Sequence, residues 1–105
     1  MTSKELFKEV MNQLNEIDDI TYKAMMGGYL FYYKNRLFGG IYSLGFMVKI
    51  TKSSKKYLPY AKVMPPYQGA KEKILVEDIS KGQLLCDMIK EMYKDLPNPK
   101  VKTTK

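Results

Sequence analysis

Apolar positions recur along this chain with two different periods, and the change of period divides it into elements. Leu6, Phe7, Val10, Met11, Leu14 and Ile17 stand three or four apart, the spacing that lays one apolar stripe along a helix. Thr2 followed by Glu5 predicts a capping box at the start, in which hydroxyl and carboxylate each satisfy a free backbone N–H. Glu16, Asp18 and Asp19 are badly placed at the negative end of a helix dipole, so the helix is expected to stop near Ile17.

From Thr21 to Thr51 aromatic, β-branched and glycine residues concentrate between turn signals, which predicts an antiparallel sheet. Lys34-Asn35 lies between two aromatic-rich runs, and Asn tolerates the positive φ of a tight hairpin. A two-residue turn there pairs Tyr33 with Arg36, Phe31 with Phe38 and Tyr29 with Gly40 on one face, and Tyr32 with Leu37 and Leu30 with Gly39 on the other. The next strand alternates Phe46, Val48 and Ile50 against Met47 and Lys49, so its first set is expected in the core. A two-residue turn at Ser43-Leu44 brings Leu37, Gly39 and Ile41 to that core face; a three-residue turn with Gly45 as a bulge brings Phe38, Gly40 and Tyr42 instead. The first reading leaves Tyr29, Phe31, Tyr33, Phe38, Met47 and Lys49 on the opposite face. That face is too apolar to stand bare, and a homodimer through it is the expected remedy.

Thr51 to Leu58 predicts a short helix capped by Thr51 or Ser53 and stopped by Pro59. An edge strand near Lys62 to Met64, a turn-rich segment at 65 to 71 and a strand at Lys73 to Glu77 follow. Ser80 with Gln83 predicts a second capping box, opening a helix with the stripe Leu84, Leu85, Met88, Ile89, Met92, Tyr93 and Leu96 that ends at Pro97. The expected fold class is α+β, two layers ordered α-β(3)-α-β(2)-α with an antiparallel sheet. Residues 1–96 form the domain, and 97–105 are expected to be a basic mobile tail.

A length of 105 residues suits one domain, and a chain 45% hydrophobic and 28% charged belongs with soluble globular proteins. No apolar run approaches the roughly 20 residues of a membrane-spanning helix, and no secretory leader is visible. The single cysteine, Cys86, excludes an internal disulfide and agrees with a cytoplasmic location. The formal charge of +7 is concentrated: residues 23 to 62 hold Lys23, Lys34, Arg36, Lys49, Lys52, Lys55, Lys56 and Lys62 and no acid. Such a field attracts nucleic acid, an anionic membrane or an acidic protein.

Two patterns compete for the working role. Tyr29, Phe31, Tyr33, Lys34, Arg36, Lys49, Lys52, Lys55 and Lys56, with Tyr57, read either as a stacking and phosphate-binding platform for DNA or RNA or as solvated bases around core aromatics. Gly27-Gly28 lacks the GxGxxG or GxxxxGK surroundings of a phosphate cradle, so a backbone role such as a close strand approach is expected. Cys86 lies among apolar helix positions and reads as a structural thiol. With no histidine in the chain and no acidic cluster beside a cleft signal, neither an enzyme, a metal nor a cofactor is expected.

The run MMGGYLFYYKNRLFGGIYSLGFMVKI resembles the opening of the TfoX/Sxy N-terminal domain family, whose members carry a Met-Phe-Gly-Gly-Tyr-Gly-Leu-Tyr type run, a turn and two apolar strands, the second ending in Lys. Met26, Gly27, Gly28 and Tyr29 stand in that run, and the likeness continues through Pro65, Pro66, Tyr67 and Gly69 to the Leu96-Pro97-Asn98-Pro99-Lys100 segment, as in short stand-alone members. The resemblance implies a fold like that of type III secretion chaperones. It also implies a non-enzymatic regulatory domain with a transcription-related protein partner, since full-length members are positive regulators of competence genes. Direct nucleic-acid binding is the alternative expectation, and a small enzyme of unstated reaction the third.

Overall fold

The helix stripe, the two hairpin turns and the edge strand appear where their chemistry places them. The computed structural model describes residues 2–25 and 27–96. Met26 and the expected basic tail at 97–105 lie outside the described residues. Helix α1 spans Ser3–Gln13, capped as expected: the Glu5 N–H donates to the Thr2 hydroxyl at 3.1 Å and the Thr2 N–H to the Glu5 carboxylate at 2.8 Å. It ends a turn earlier than Ile17 because the chain leaves the helix at its cap Leu14, although Leu14 and Ile17 still reach the core.

Four strands follow, one more than the aromatic pattern announced: β1 (Ile20–Met25), β2 (Gly28–Tyr33), β3 (Arg36–Tyr42) and β4 (Gly45–Lys49). β1 is an edge strand with four exposed residues in its middle, so little hydrophobic contrast marks it. Lys34 and Asn35 both adopt positive φ, 49° and 69°, the tight turn that Asn signalled. Helix α2 (Lys52–Tyr57) is capped by Thr51. Strands β5 (Val63–Met64) and β6 (Lys73–Leu75) then complete one antiparallel sheet in the order β1-β2-β3-β4-β6-β5. Two prolines after Met64 keep β5 short and at the edge.

Helix α3 (Gly82–Met92) runs into a single 3₁₀ turn, Tyr93–Asp95. Its start differs from the expected Ser80–Gln83 box: Lys81 is the cap residue, and the Ser80 hydroxyl and N–H instead donate to Asp78. Leu85, Met88, Ile89 and Met92 from α3 meet Val10 and Leu14 from α1 over Phe31, Phe38, Ile41, Phe46, Val48 and Ile74 of the sheet. Both long helices therefore lie on one sheet face. Cys86 is in that seam, its thiol 3.6 Å from the Gln13 carbonyl, and burial first, then Glu16, pushes the thiol pKa up.

The faces of the sheet are sorted differently from the simple two-residue count. Tyr33 pairs with Arg36 and Tyr32 with Leu37 as expected, but Phe31 then pairs with Gly39, which leaves Phe38 as an extra residue. This bulge shifts the alternation by one. Phe31, Tyr33 and Phe38 thereby share the helix side with Ile41, Phe46 and Val48, while Leu37 moves outward. The second hairpin has the expected two-residue turn, Tyr42 pairing with Gly45. Ile50 falls beyond β4 and is exposed instead of buried.

Candidate interaction surface

What the bulge sends outward defines the second face. Strand alternation places Leu30 and Tyr32 of β2, Leu37 and Tyr42 of β3, Met47 and Lys49 of β4, and Lys73 and Leu75 of β6 away from the helices. Gly40, opposite Met47, makes room in the middle: a Cβ there would stand 3.1 Å from the Tyr42 hydroxyl oxygen, so the tyrosine lies back across the glycine. The β5–β6 connection folds over the same side. Pro66 is buried, the Tyr67 ring lies 6.4 Å from that of Tyr42, and both prolyl and tyrosyl residues line a groove of about 510 Å³ with Met25, Gly28 and Ile41. Met47 is fully buried there, whereas Tyr67 remains 64% exposed and Tyr32, Tyr42, Leu30 and Leu37 half-buried.

The charged residues that strand alternation places on this face, among those described, are lysines. Lys49 and Lys73 are direct partners across the β4–β6 ladder. Burial, and then the neighbouring Lys71, holds the Lys49 ammonium below the ordinary lysine range; Lys73 is lowered by burial, Lys49 and Lys71. Like charges directly opposite in a sheet repel, and partial desolvation strengthens the effect. Among the described residues the ion pairs are Lys56–Glu91 and Lys62–Glu77, neither of which involves these three lysines. Burial, then Tyr67 and Tyr32, pushes the Tyr42 phenol up.

The nine residues expected to form one platform are divided among three places. Phe31 and Tyr33 are buried against the helices, and Tyr29 is stacked on Phe7 of α1 with ring centroids 4.2 Å apart. Lys34 and Arg36 stand beside the 3₁₀ turn: the Arg36 guanidinium lies 4.1 Å from the Tyr93 ring centroid and donates to the Tyr93 carbonyl at 2.8 Å and the Leu96 carbonyl at 3.3 Å. Lys52, Lys55 and Lys56 belong to α2, which packs on α3, and Lys56 pairs with Glu91 there. Lys49 alone of the nine faces outward on the sheet. The expected bare aromatic face, and with it the reason given for a dimer through it, is replaced by a helix-covered one.

The residues that do share the outer face with Lys49 were missed in part. Lys71 and Lys73 sit beyond the acid-free segment, and their approach to Lys49 depends on the long-range β4–β6 pairing; the alternation Lys73-Ile74-Leu75 around a core isoleucine was the available signal. Tyr67 and Pro66 come from the family-like run, Pro65 beside them is exposed, and Gly69 takes φ +88° in the turn after them. Gly27 and Gly28 have backbone roles, the first at φ +74° and the second in close contact with the Ile41 carbonyl.

The shifted carboxylates outside this face are all explained by local contacts. Asp95 is lowered by its hydrogen bonds from the Ser53 hydroxyl and N–H, Asp78 by Ser80, and Glu5 by Thr2. Glu91 is lowered by the Tyr57 hydroxyl, whose own pKa is pushed up to about 12 by that bond. No group of three His, Cys, Asp or Glu side chains among the described residues is arranged to hold a metal, and no described helix is long and apolar enough to cross a membrane. Comparison of the chain with models of known families, with curated proteins and with solved structures finds no match.

Proposed function

We propose that this chain is a non-enzymatic regulatory interaction domain whose working surface is the outer face of its sheet. The observation that carries the reading is the juxtaposition there of half-buried tyrosines and leucines with Lys49 and Lys73, direct cross-strand partners. Like charges opposite one another cost the fold stability, and an anionic partner seated between them would offset that cost. The resemblance of its glycine-tyrosine run to the TfoX/Sxy N-terminal domains supports a transcription-linked role, and their secretion-chaperone-like fold is a two-layer arrangement of the same general kind. Direct nucleic-acid contact is the second reading, favoured by the same lysines.

Photo-cross-linking in the native cell tests this. A photoreactive amino acid at Leu37, on the outer face, is expected to capture a macromolecule, and the same group at Lys55, on α2, is not. Adducts from Lys55 with none from Leu37 would place the working surface on the helix layer.

A further inference from the structure

We infer that Lys49 and Lys73, with Lys71 two positions before Lys73 in the chain, form a phosphodiester seat for single-stranded nucleic acid, with unpaired bases stacking on Tyr32 and Tyr67. The inference rests on the outer-face reading above and names the partner of that surface. Three observations select this occupant. First, the lysines cluster without a carboxylate partner among the described ion pairs, and Lys49 faces Lys73 directly. A phosphate between them relieves the repulsion and replaces the counterions that such a cluster gathers. Second, Tyr67 is 64% exposed and Tyr32 half-buried on the same face, so each offers ring surface; a base has a π-face to match it, which an acidic peptide lacks.

Third, among the described residues no helix lies on this side, and the one long connection over it, between β5 and β6, packs back onto the sheet through the buried Pro66. The β2–β3 and β3–β4 connections are two-residue turns, and the sheet surface is lined by rings and lysine stems. Flat sheets with exposed aromatics receive splayed, unpaired bases, whereas duplex DNA is read by an inserted helix or ribbon. A second copy of the chain is a poor occupant, because a two-fold contact through this face presents the lysines with the same face of the partner, on which strand alternation places no carboxylate among the described residues.

Fluorescence anisotropy with a labelled oligothymidine of twelve nucleotides tests the inference, beside a duplex of the same length and polyglutamate. The wild type is expected to prefer the single strand, with a logarithmic salt slope of about −2, from ~0.7 per neutralised phosphate and three lysines. Lys49→Glu with Lys73→Glu is expected to weaken binding at least about tenfold at low salt, and Tyr67→Ala at least about fivefold. Lys52→Glu with Lys55→Glu on α2 makes the same change of charge and is expected to cost little. Lys73→Met, which keeps an unbranched stem of similar length and removes the charge, serves if the double reversal does not fold.

Equal loss in the α2 pair, equal affinity for the duplex, or no oligonucleotide binding at tens of micromolar overturns the inference. Tight polyglutamate binding without oligonucleotide binding also overturns it, yet leaves the outer face as the working surface. Failure of the Leu37 cross-link removes that surface as well.

Discussion

Lys49 and Lys73 stand opposite one another across the β4–β6 ladder, both directed to the outer face of the sheet. Each is held below the ordinary lysine range by burial, and Lys73 in addition by Lys49 itself. Converting one partner to the opposite sign turns a repulsive cross-strand pair into an attractive one. Lys73→Glu is therefore expected to raise the stability of the free protein by roughly 0.5 kcal/mol, within the range of cross-strand charge pairs. Urea denaturation reads this directly, and an unchanged or lower midpoint would show that the pair is not strained.

Adjacent glycines in the family-like run are predicted to respond to alanine for different reasons. A Cβ on Gly28 would stand 2.1 Å from the Ile41 carbonyl oxygen, so β2 and β3 would have to separate. Gly27 has nothing within 4 Å but holds φ +74°. Gly28→Ala is expected to cost more than ~3 kcal/mol, by disrupting the ladder that carries Tyr29 and Tyr32, and Gly27→Ala about 1 kcal/mol. Denaturation midpoints in the reverse order would contradict the strand register.

Arg36 joins the first hairpin to the end of α3 through its stack on Tyr93 and its bonds to two carbonyls. Lysine keeps the charge but loses the planar fork. Arg36→Lys is expected to destabilise by about 1–2 kcal/mol and to increase hydrogen exchange around Tyr93–Asp95. Since this site faces away from the outer surface, binding by the folded variant is expected to be unchanged.

The Tyr57–Glu91 bond ties α2 to α3 and makes stability depend on alkaline pH. The phenol titrates near its ordinary value of 10.0 when unfolded and is pushed up to about 12 when folded. The folded state thus keeps a proton that the unfolded chain has lost, so the bond's contribution is complete below pH 10 and disappears between 10 and 12. The stability difference between the wild type and Tyr57→Phe is expected to shrink across that interval. A constant difference would mean that the hydroxyl is not bonded to Glu91.

Local signals made much of this fold legible. Thr2 and Glu5 cap α1, Asn35 closes its turn, the α3 stripe enters the core, and prolines confine β5 to an edge, each through chemistry contained within a few residues. The site was less legible because it depends on one inserted residue and one distant pairing. Phe38 differs in no obvious way from its neighbours, yet its bulge exchanges the two faces of β2 relative to the rest of the sheet. Lys73 meets Lys49 only after α2 and β5 have been placed. Lys49 belongs to the outer surface, but Tyr29, Phe31, Tyr33 and Arg36 fall on the helix side because of the strand phase, and Lys52, Lys55 and Lys56 stand on α2.

Contact on the outer sheet face is read most directly from backbone amide shifts during titration of the isotopically labelled protein with oligothymidine. Shifts are expected to concentrate at Tyr32, Leu37, Lys49, Tyr67, Lys71 and Lys73. Shifts concentrated instead at Lys52, Lys55 and Lys56 on α2, with the outer strands unmoved, would contradict it.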